Sequence, residues 1–211
     1  MNTFNSQHLH GLYLVTPDWD DTAQLLQASE AALQGGAALL QYRHKHADAA
    51  QRLEQARALQ ALCRRYQKPF IINDYLELAL ELDADGLHVG GTDISVSAAR
   101  AALGPDKILG ASCYGSMELA LAAQAGGASY AAFGGFYPSR VKKYEVATAP
   151  DIITTARAQL QIPVVVIGGM TVANSAPLVA RGAQMVAAIS SVYMSETPPA
   201  EAAAQFVRLF G

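Results

Sequence analysis

PFIINDYLELALELDADGLHVGGTD, residues 69–93, is the stretch whose reading decides the fold. Two short apolar runs, Phe70-Ile71-Ile72 and Gly86-Leu87-His88-Val89, flank a segment rich in Leu, Glu and Ala. Strand, helix, strand is the βαβ unit, whose right-handed crossover sets its two strands parallel. Asp74 follows the first run and Asp93 the second, so both carboxylates are expected at one C-terminal sheet edge. On neighbouring strands they would lie ~5 Å apart, close enough to converge on one cation.

Outward from this unit the same alternation repeats. Apolar runs at 11–16, 37–42, 107–112, 130–133, 163–168 and 185–189 read as the other strands. Helical patterns are expected at 20–34, 47–66, 116–125, 150–160 and 173–181, and a helix over 199–210 closes the chain. Within 47–66, Leu53, Ala56, Leu59, Leu62 and Cys63 fall near helical spacing, the mark of a single buried face. The phrases GGA (35–37), LDADG (82–86), GGASY (126–130) and RGAQM (181–185) each occupy a helix-to-strand turn. Eight β-then-α units predict a single α/β domain over 1–211, a (β/α)8 TIM barrel with 1–10 as an N-terminal extension. A doubly wound open sheet is the alternative.

Hydrophobic residues make up 51% of the 211 and charged residues 16%, which suits a compact α/β enzyme and excludes a disordered chain. A net charge of −3 provides no general attraction to nucleic acid or an anionic membrane, so any anion site must be built locally. Cys63 and Cys113 form no CxxC pattern, and the N-terminus lacks a basic start with a long apolar run. A reducing, cytoplasmic setting is the expectation. No apolar run approaches the ~18 residues of a membrane span.

In a barrel of this kind chemistry gathers at the strand C-termini. The second strand delivers Gln41, Arg43 and Lys45 at alternate positions, two cations and an amide on one face of an extended segment. Arginine's fork suits phosphate oxygens, and Mg²⁺ on Asp74 and Asp93 would fill its shell with phosphate oxygens and water. Together these residues read as a Mg-diphosphate site, although either aspartate taken alone could cap the helix after it. Ile167-Gly168-Gly169-Met170-Thr171 followed by Asn174 reads as a second anion site, where glycine lets backbone N–H groups approach a phosphate. His44 and His46 read as solvated, His88 as a hydrogen-bonded barrel histidine, and Cys113 as the inert end of the fifth strand.

The segments YLVT (13–16), LLQYRHK (39–45), INDYLELALELDADGLHVGGTD (72–93), GAS (110–112), FGGFYPSRVKK (133–143), VVVIGGMT (164–171) and AAISSV (187–192) resemble the thiamine-phosphate synthase family, in the right order over nearly the whole chain. The resemblance implies that a hydroxymethylpyrimidine diphosphate is joined to a hydroxyethylthiazole phosphate, giving thiamine phosphate and diphosphate. It places Gln41, Arg43, Lys45 and Asn73 on the diphosphate and Mg²⁺ on Asp74 and Asp93. Ser112, Lys142 and Arg43 become the catalytic groups on the departing diphosphate, while Gly169, Ile189, Ser190 and Ser139 bind the thiazole phosphate. Two small phosphorylated substrates are the implied partners, with no nucleic acid or membrane, and a homo-oligomer is compatible with this reading. The family often has Gln-Glu where this chain has Gly91-Thr92, and a threonine where it has Val141. A thiazole tautomerase of the same superfamily, or a non-catalytic phosphate-binding barrel, are the alternatives.

Overall fold

The structure, a computed structural model, describes residues 9–91, 93–138 and 148–211. Strands β1 (Gly11–Val15), β2 (Leu39–Tyr42), β3 (Phe70–Asn73) and β4 (Gly86–Val89) alternate with helices α1 (Thr22–Gln34), α2 (Ala49–Arg65) and α3 (Leu76–Glu81). Helix α4 (Val96–Leu103) leads to β5 (Ile108–Tyr114), α5 (Met117–Ala125), β6 (Tyr130–Gly134), α6 (Asp151–Gln159) and β7 (Val164–Ile167). Helix α7 (Val172–Ala180), β8 (Met185–Ala188), α8 (Ser190–Tyr193), α9 (Pro199–Val207) and a 3-10 turn at Arg208–Phe210 complete it. Every strand pairs in parallel with the next, and β1 pairs with β8 from Gly11–Met185 to Leu14–Ala188. The sheet therefore closes into the expected (β/α)8 barrel, and the open doubly wound alternative falls.

Helix starts are written locally. Asp21, Asp48, Ser95, Ser116 and Thr171 each accept the backbone N–H three residues on, capping α1, α2, α4, α5 and α7. Such a cap satisfies one of the donors that a helix start leaves open. All five caps stand where a strand has just delivered the chain to the top of the barrel, so they fix the loops that carry the site.

Alternation along the strands divides the apolar residues into two cores. Tyr13, Leu39, Ile71, Ile108, Tyr130, Val165 and Met185 fill the barrel interior. Leu12, Leu40, Phe70, Leu87, Leu109, Phe133, Val164 and Val186 face outward onto Leu25, Leu59, Ile153, Leu178 and Phe206 of the helices. Full burial of such side chains stabilises by about 1.5–3 kcal/mol each, which makes both layers necessary to a closed barrel. Among the described residues no helix is long and apolar enough to cross a membrane.

Three local features differ from expectation. Strand β5 continues through Tyr114, with an irregularity in its pairing to β6 after Ser112, so Cys113 lies inside the strand and not at its end. Burial pushes its thiol up to about 12, in keeping with an inert residue. Helices α4 and α8 were not singled out by the sequence pattern; both are short, α4 exposed along one side and α8 buried at Val192 and Tyr193.

Candidate active site

At the C-terminal mouth of the barrel, Gln41, Arg43, Asn73, His88 and Ser112 line one side of a cavity. They come from the ends of β2, β3, β4 and β5, or in Arg43's case from the residue just past β2. The opposite side is apolar, made of Val15, Ala132, Val165, Ile167 and Ala187 from β1 and β6 to β8, with Ile189 just past β8. One half of the mouth is therefore polar and the other apolar.

The cations are held in different ways. Arg43 is buried and its Nη1 donates to Asp18 at 2.8 Å, while Asp18 also accepts the Lys45 backbone N–H at 2.7 Å. Thr16 closes the joint, its hydroxyl bonding both the N–H and the carbonyl of Arg43 at 2.8 Å. Burial alone would raise the Asp18 pKa, but the Lys45 N–H and the Arg43 guanidinium outweigh it and hold the carboxyl below its usual range. Among the described residues the buried Arg43 Nε has no partner, a donor left over for a ligand. Lys45 reaches across to pair with Asp74.

Neither aspartate of the opening stretch caps a helix. Tyr75 occupies the cap position of α3 with no side-chain bond, and Ser95 caps α4. Asp74 sits at φ +63°, in the left-handed region that aspartate tolerates better than most residues. Asp93 accepts the Gly90 N–H at 2.7 Å. Its pKa is raised, first by burial and then by the adjacent Asp74 carboxyl, against the lowering effects of the Gly90 N–H and Lys45. Two carboxyls in contact from neighbouring parallel strands repel when both are ionised, and a divalent cation relieves that repulsion. The donor set fits Mg²⁺, which needs only one or two protein carboxylates; no cluster of three or more acidic, His or Cys side chains occurs among the described residues.

A second cavity, of about 700 Å³, opens beside the first between the β7 and β8 loops and α9. Gly169 and Ser190 line it, while Ile189 lines the barrel mouth. Gly169 has φ +63°, and a Cβ there would lie 2.3 Å from the Pro138 carbonyl, so only glycine allows this turn. Asn174 takes the Thr171 N–H at 2.7 Å and donates to the Gly169 carbonyl at 2.9 Å, so it holds the glycine turn and the α7 cap together. Ser139 and Lys142, with Thr92 and Val141, lie outside the described residues.

Four contributors escaped the sequence reading: Thr16, Asp18, Tyr13 and Tyr130. The first two follow β1 in the LVTPD run, where an acidic residue just past a strand end was the available signal. The tyrosines bond to one another inside the barrel at 2.6 Å, and Gln41 and His88 join them. His88 is thus hydrogen-bonded as expected. His44 is not solvated: it is buried, its Nε2 lies 3.2 Å from Asp20, and its Nδ1 accepts the Ala47 N–H at 3.0 Å. It ties the β2 exit loop down, because a chain turning back toward the barrel buries even its polar corner. His46 is exposed.

Residues 12–192 match the family model for thiamine monophosphate synthase. A thiamine-phosphate synthase from Janthinobacterium sp. (strain Marseille) is 67% identical over 203 residues, 96% of this chain and 98% of that one. Another from Aromatoleum aromaticum is 49% identical over 196 residues, covering 93% and 94%. The solved thiamine phosphate pyrophosphorylase from Pyrococcus furiosus superposes with a TM-score of 0.84 at 29% identity, covering 98% of this chain and 96% of that one. A 3-hexulose-6-phosphate synthase at 16% identity and TM-score 0.69 shares the fold alone. A charged half-mouth facing an apolar half, on a barrel matched over nearly its whole length, places this chain in the thiamine monophosphate synthase family.

Proposed function

We propose that the barrel mouth couples 4-amino-2-methyl-5-hydroxymethylpyrimidine diphosphate with 4-methyl-5-(2-hydroxyethyl)thiazole phosphate, forming thiamine phosphate and releasing diphosphate. The observation that carries this reading is the division of the cavity, with Gln41, Arg43, Asn73 and Ser112 facing Val165, Ile167 and Ile189. The diphosphate belongs on the polar side and the pyrimidine ring on the apolar side. The bond from the ring methylene to oxygen breaks with its electron pair going to the diphosphate, and the ring stabilises the cation left behind. The thiazole nitrogen then gives its lone pair to that carbon, so no general base is needed.

Arg43, Lys45 and Ser112, with Lys142 from the β6 loop, meet the charge that develops on the leaving oxygens. Asp18 and Thr16 keep Arg43 aimed, so little reorganisation is needed as that charge appears. Asp74 and Asp93 would hold Mg²⁺, which supplies further neutralisation of the diphosphate. Apolar walls keep water from the cation. Gly169, Ser190 and Ile189, with Ser139, receive the thiazole phosphate, and holding both rings together supplies effective concentration. The names of the relatives favour a synthase over a tautomerase, which would need an acid/base group and not a clamp for diphosphate.

Purified protein given both precursors and Mg²⁺ is expected to release thiamine phosphate and diphosphate in equal amounts. Asp74→Asn should lower kcat by about 100-fold or more, the scale of losing one group that stabilises transition-state charge. Absence of product from folded wild-type protein would sink the reading, and near-wild-type turnover in Asp74→Asn would remove that residue from the site.

A further inference from the structure

Five side chains from five strands form an unbroken line of hydrogen bonds across the barrel interior. Gln41 Nε2 donates to the Tyr13 hydroxyl at 2.7 Å, and the Tyr13 and Tyr130 hydroxyls lie 2.6 Å apart. Tyr130 meets His88 Nδ1 at 2.9 Å, and His88 Nε2 meets Ser112 Oγ at 2.9 Å. The line starts on β2, passes through β1, β6 and β4, and ends on β5 at the diphosphate side of the mouth.

Each hydroxyl has one proton to give, and an amide nitrogen only donates. Either hydroxyl of the Tyr13–Tyr130 pair can be the donor; with Tyr13 accepting from Gln41 and giving its proton to Tyr130, no hydroxyl proton along this line is left unused. In that sense Tyr130 spends its proton on His88 Nδ1. A neutral imidazole with Nδ1 as acceptor carries its proton on Nε2 and donates it to Ser112. Burial raises the pKa of both phenols well above the ordinary value, so each keeps the proton that the line needs. The His88 and Tyr130 rings stack with centroids 5.7 Å apart and planes 20° from parallel, which holds the relay in place.

We infer that His88, Tyr130 and Tyr13 are positioning residues that fix the sense of the Ser112 hydroxyl, making it accept inward from His88 and donate outward to a leaving-group oxygen. With the opposite tautomer Ser112 would donate to Nε2 and present lone pairs to an anion. The line thus turns a residue that can face either way into a committed donor where negative charge develops. This rests on the proposed placement of Ser112 at the diphosphate.

Two measurements test it. In ligand-free protein labelled with ¹⁵N at its 5 histidines, the His88 signal, identified by its loss in His88→Gln, should report the Nε2–H tautomer. Tyr130→Phe keeps the ring and removes the donor to Nδ1. It should shift that tautomer and lower kcat by about 10-fold, part of the loss expected for a whole donor, with KM for the pyrimidine diphosphate little changed. Tyr13→Phe should act in the same direction. In a Ser112→Ala background, Tyr130→Phe should cost nothing further in kcat, because the group it orients is gone. An Nδ1–H tautomer in the wild type, or an undiminished Tyr130→Phe loss in that background, overturns the inference. An unchanged kcat in Ser112→Ala overturns the placement of Ser112 itself, and the inference with it, even if the tautomer is Nε2–H.

Discussion

Asp18 shows how a residue with no catalytic chemistry of its own can set a site. One carboxylate oxygen takes the Arg43 guanidinium and the other the Lys45 backbone N–H, so a single side chain anchors two successive cationic residues of the proposed clamp. The alternation Gln41-x-Arg43-x-Lys45 was legible in the sequence; its anchor was not, because Asp18 lies 25 positions from Arg43 along the chain. Asp18's folded pKa is depressed below its unfolded value near ~3.9. Its contribution to stability is therefore complete above that value and disappears as pH falls through the folded pKa. Asp18→Asn should accordingly be less stable than wild type at neutral pH, with the two stabilities converging in strong acid. Urea titrations across pH 2 to 7 would reveal a constant gap if the carboxylate's charge were not the cause.

At the scale of elements, β5 and β6 show what a strand-end motif leaves out. GAS at 110–112 reads as a strand ending in a useful serine, but nothing in it announces why residue 110 must be glycine. Gly110 is the register partner of Tyr130, and a Cβ on it would stand 2.0 Å from the Tyr130 ring. The glycine is thus the space in which the neighbouring strand's tyrosine lies. Gly110→Ala should cost about 1–3 kcal/mol, the usual penalty of overpacking a filled core, and should recover much of that loss when combined with Tyr130→Ala. A denaturation midpoint unchanged by Gly110→Ala would show that the ring can move aside freely. Helix caps, by contrast, are local devices, since Asp48, Ser116 and Thr171 act on backbone three residues away, although the sequence reading named none of the three as a cap. The same locality misleads for Asp74 and Asp93, which sit at plausible cap positions but pair with Lys45 and the Gly90 N–H instead.

On the scale of the whole molecule, barrel closure brings the two ends of the chain together. Strand β1 pairs with β8, and α1 packs closely on α9, where a Cβ at Gly35 would lie 2.3 Å from the Ala200 carbonyl. Phe206 of α9 is 1% exposed within the outer core. Phe206→Ala should therefore destabilise the entire barrel by about 3–5 kcal/mol, seen as one cooperative shift in urea with the slope kept. A loss confined to the last helix, with the barrel's own transition unmoved, would mean that α9 is an accessory and not part of the closed unit.

The sequence by itself determined the repeating β-then-α order and which stretches become strands. Those depend on turn chemistry and on periodicities of 2 and 3.6 residues, which act over a few positions. Tertiary structure alone decided how the strand ends divide into a polar and an apolar half, what orients Arg43, and that Tyr13 meets Tyr130 across 117 positions. Such contacts exist only once eight strands tilt into a closed ring, and no local pattern records which inward side chain another will face.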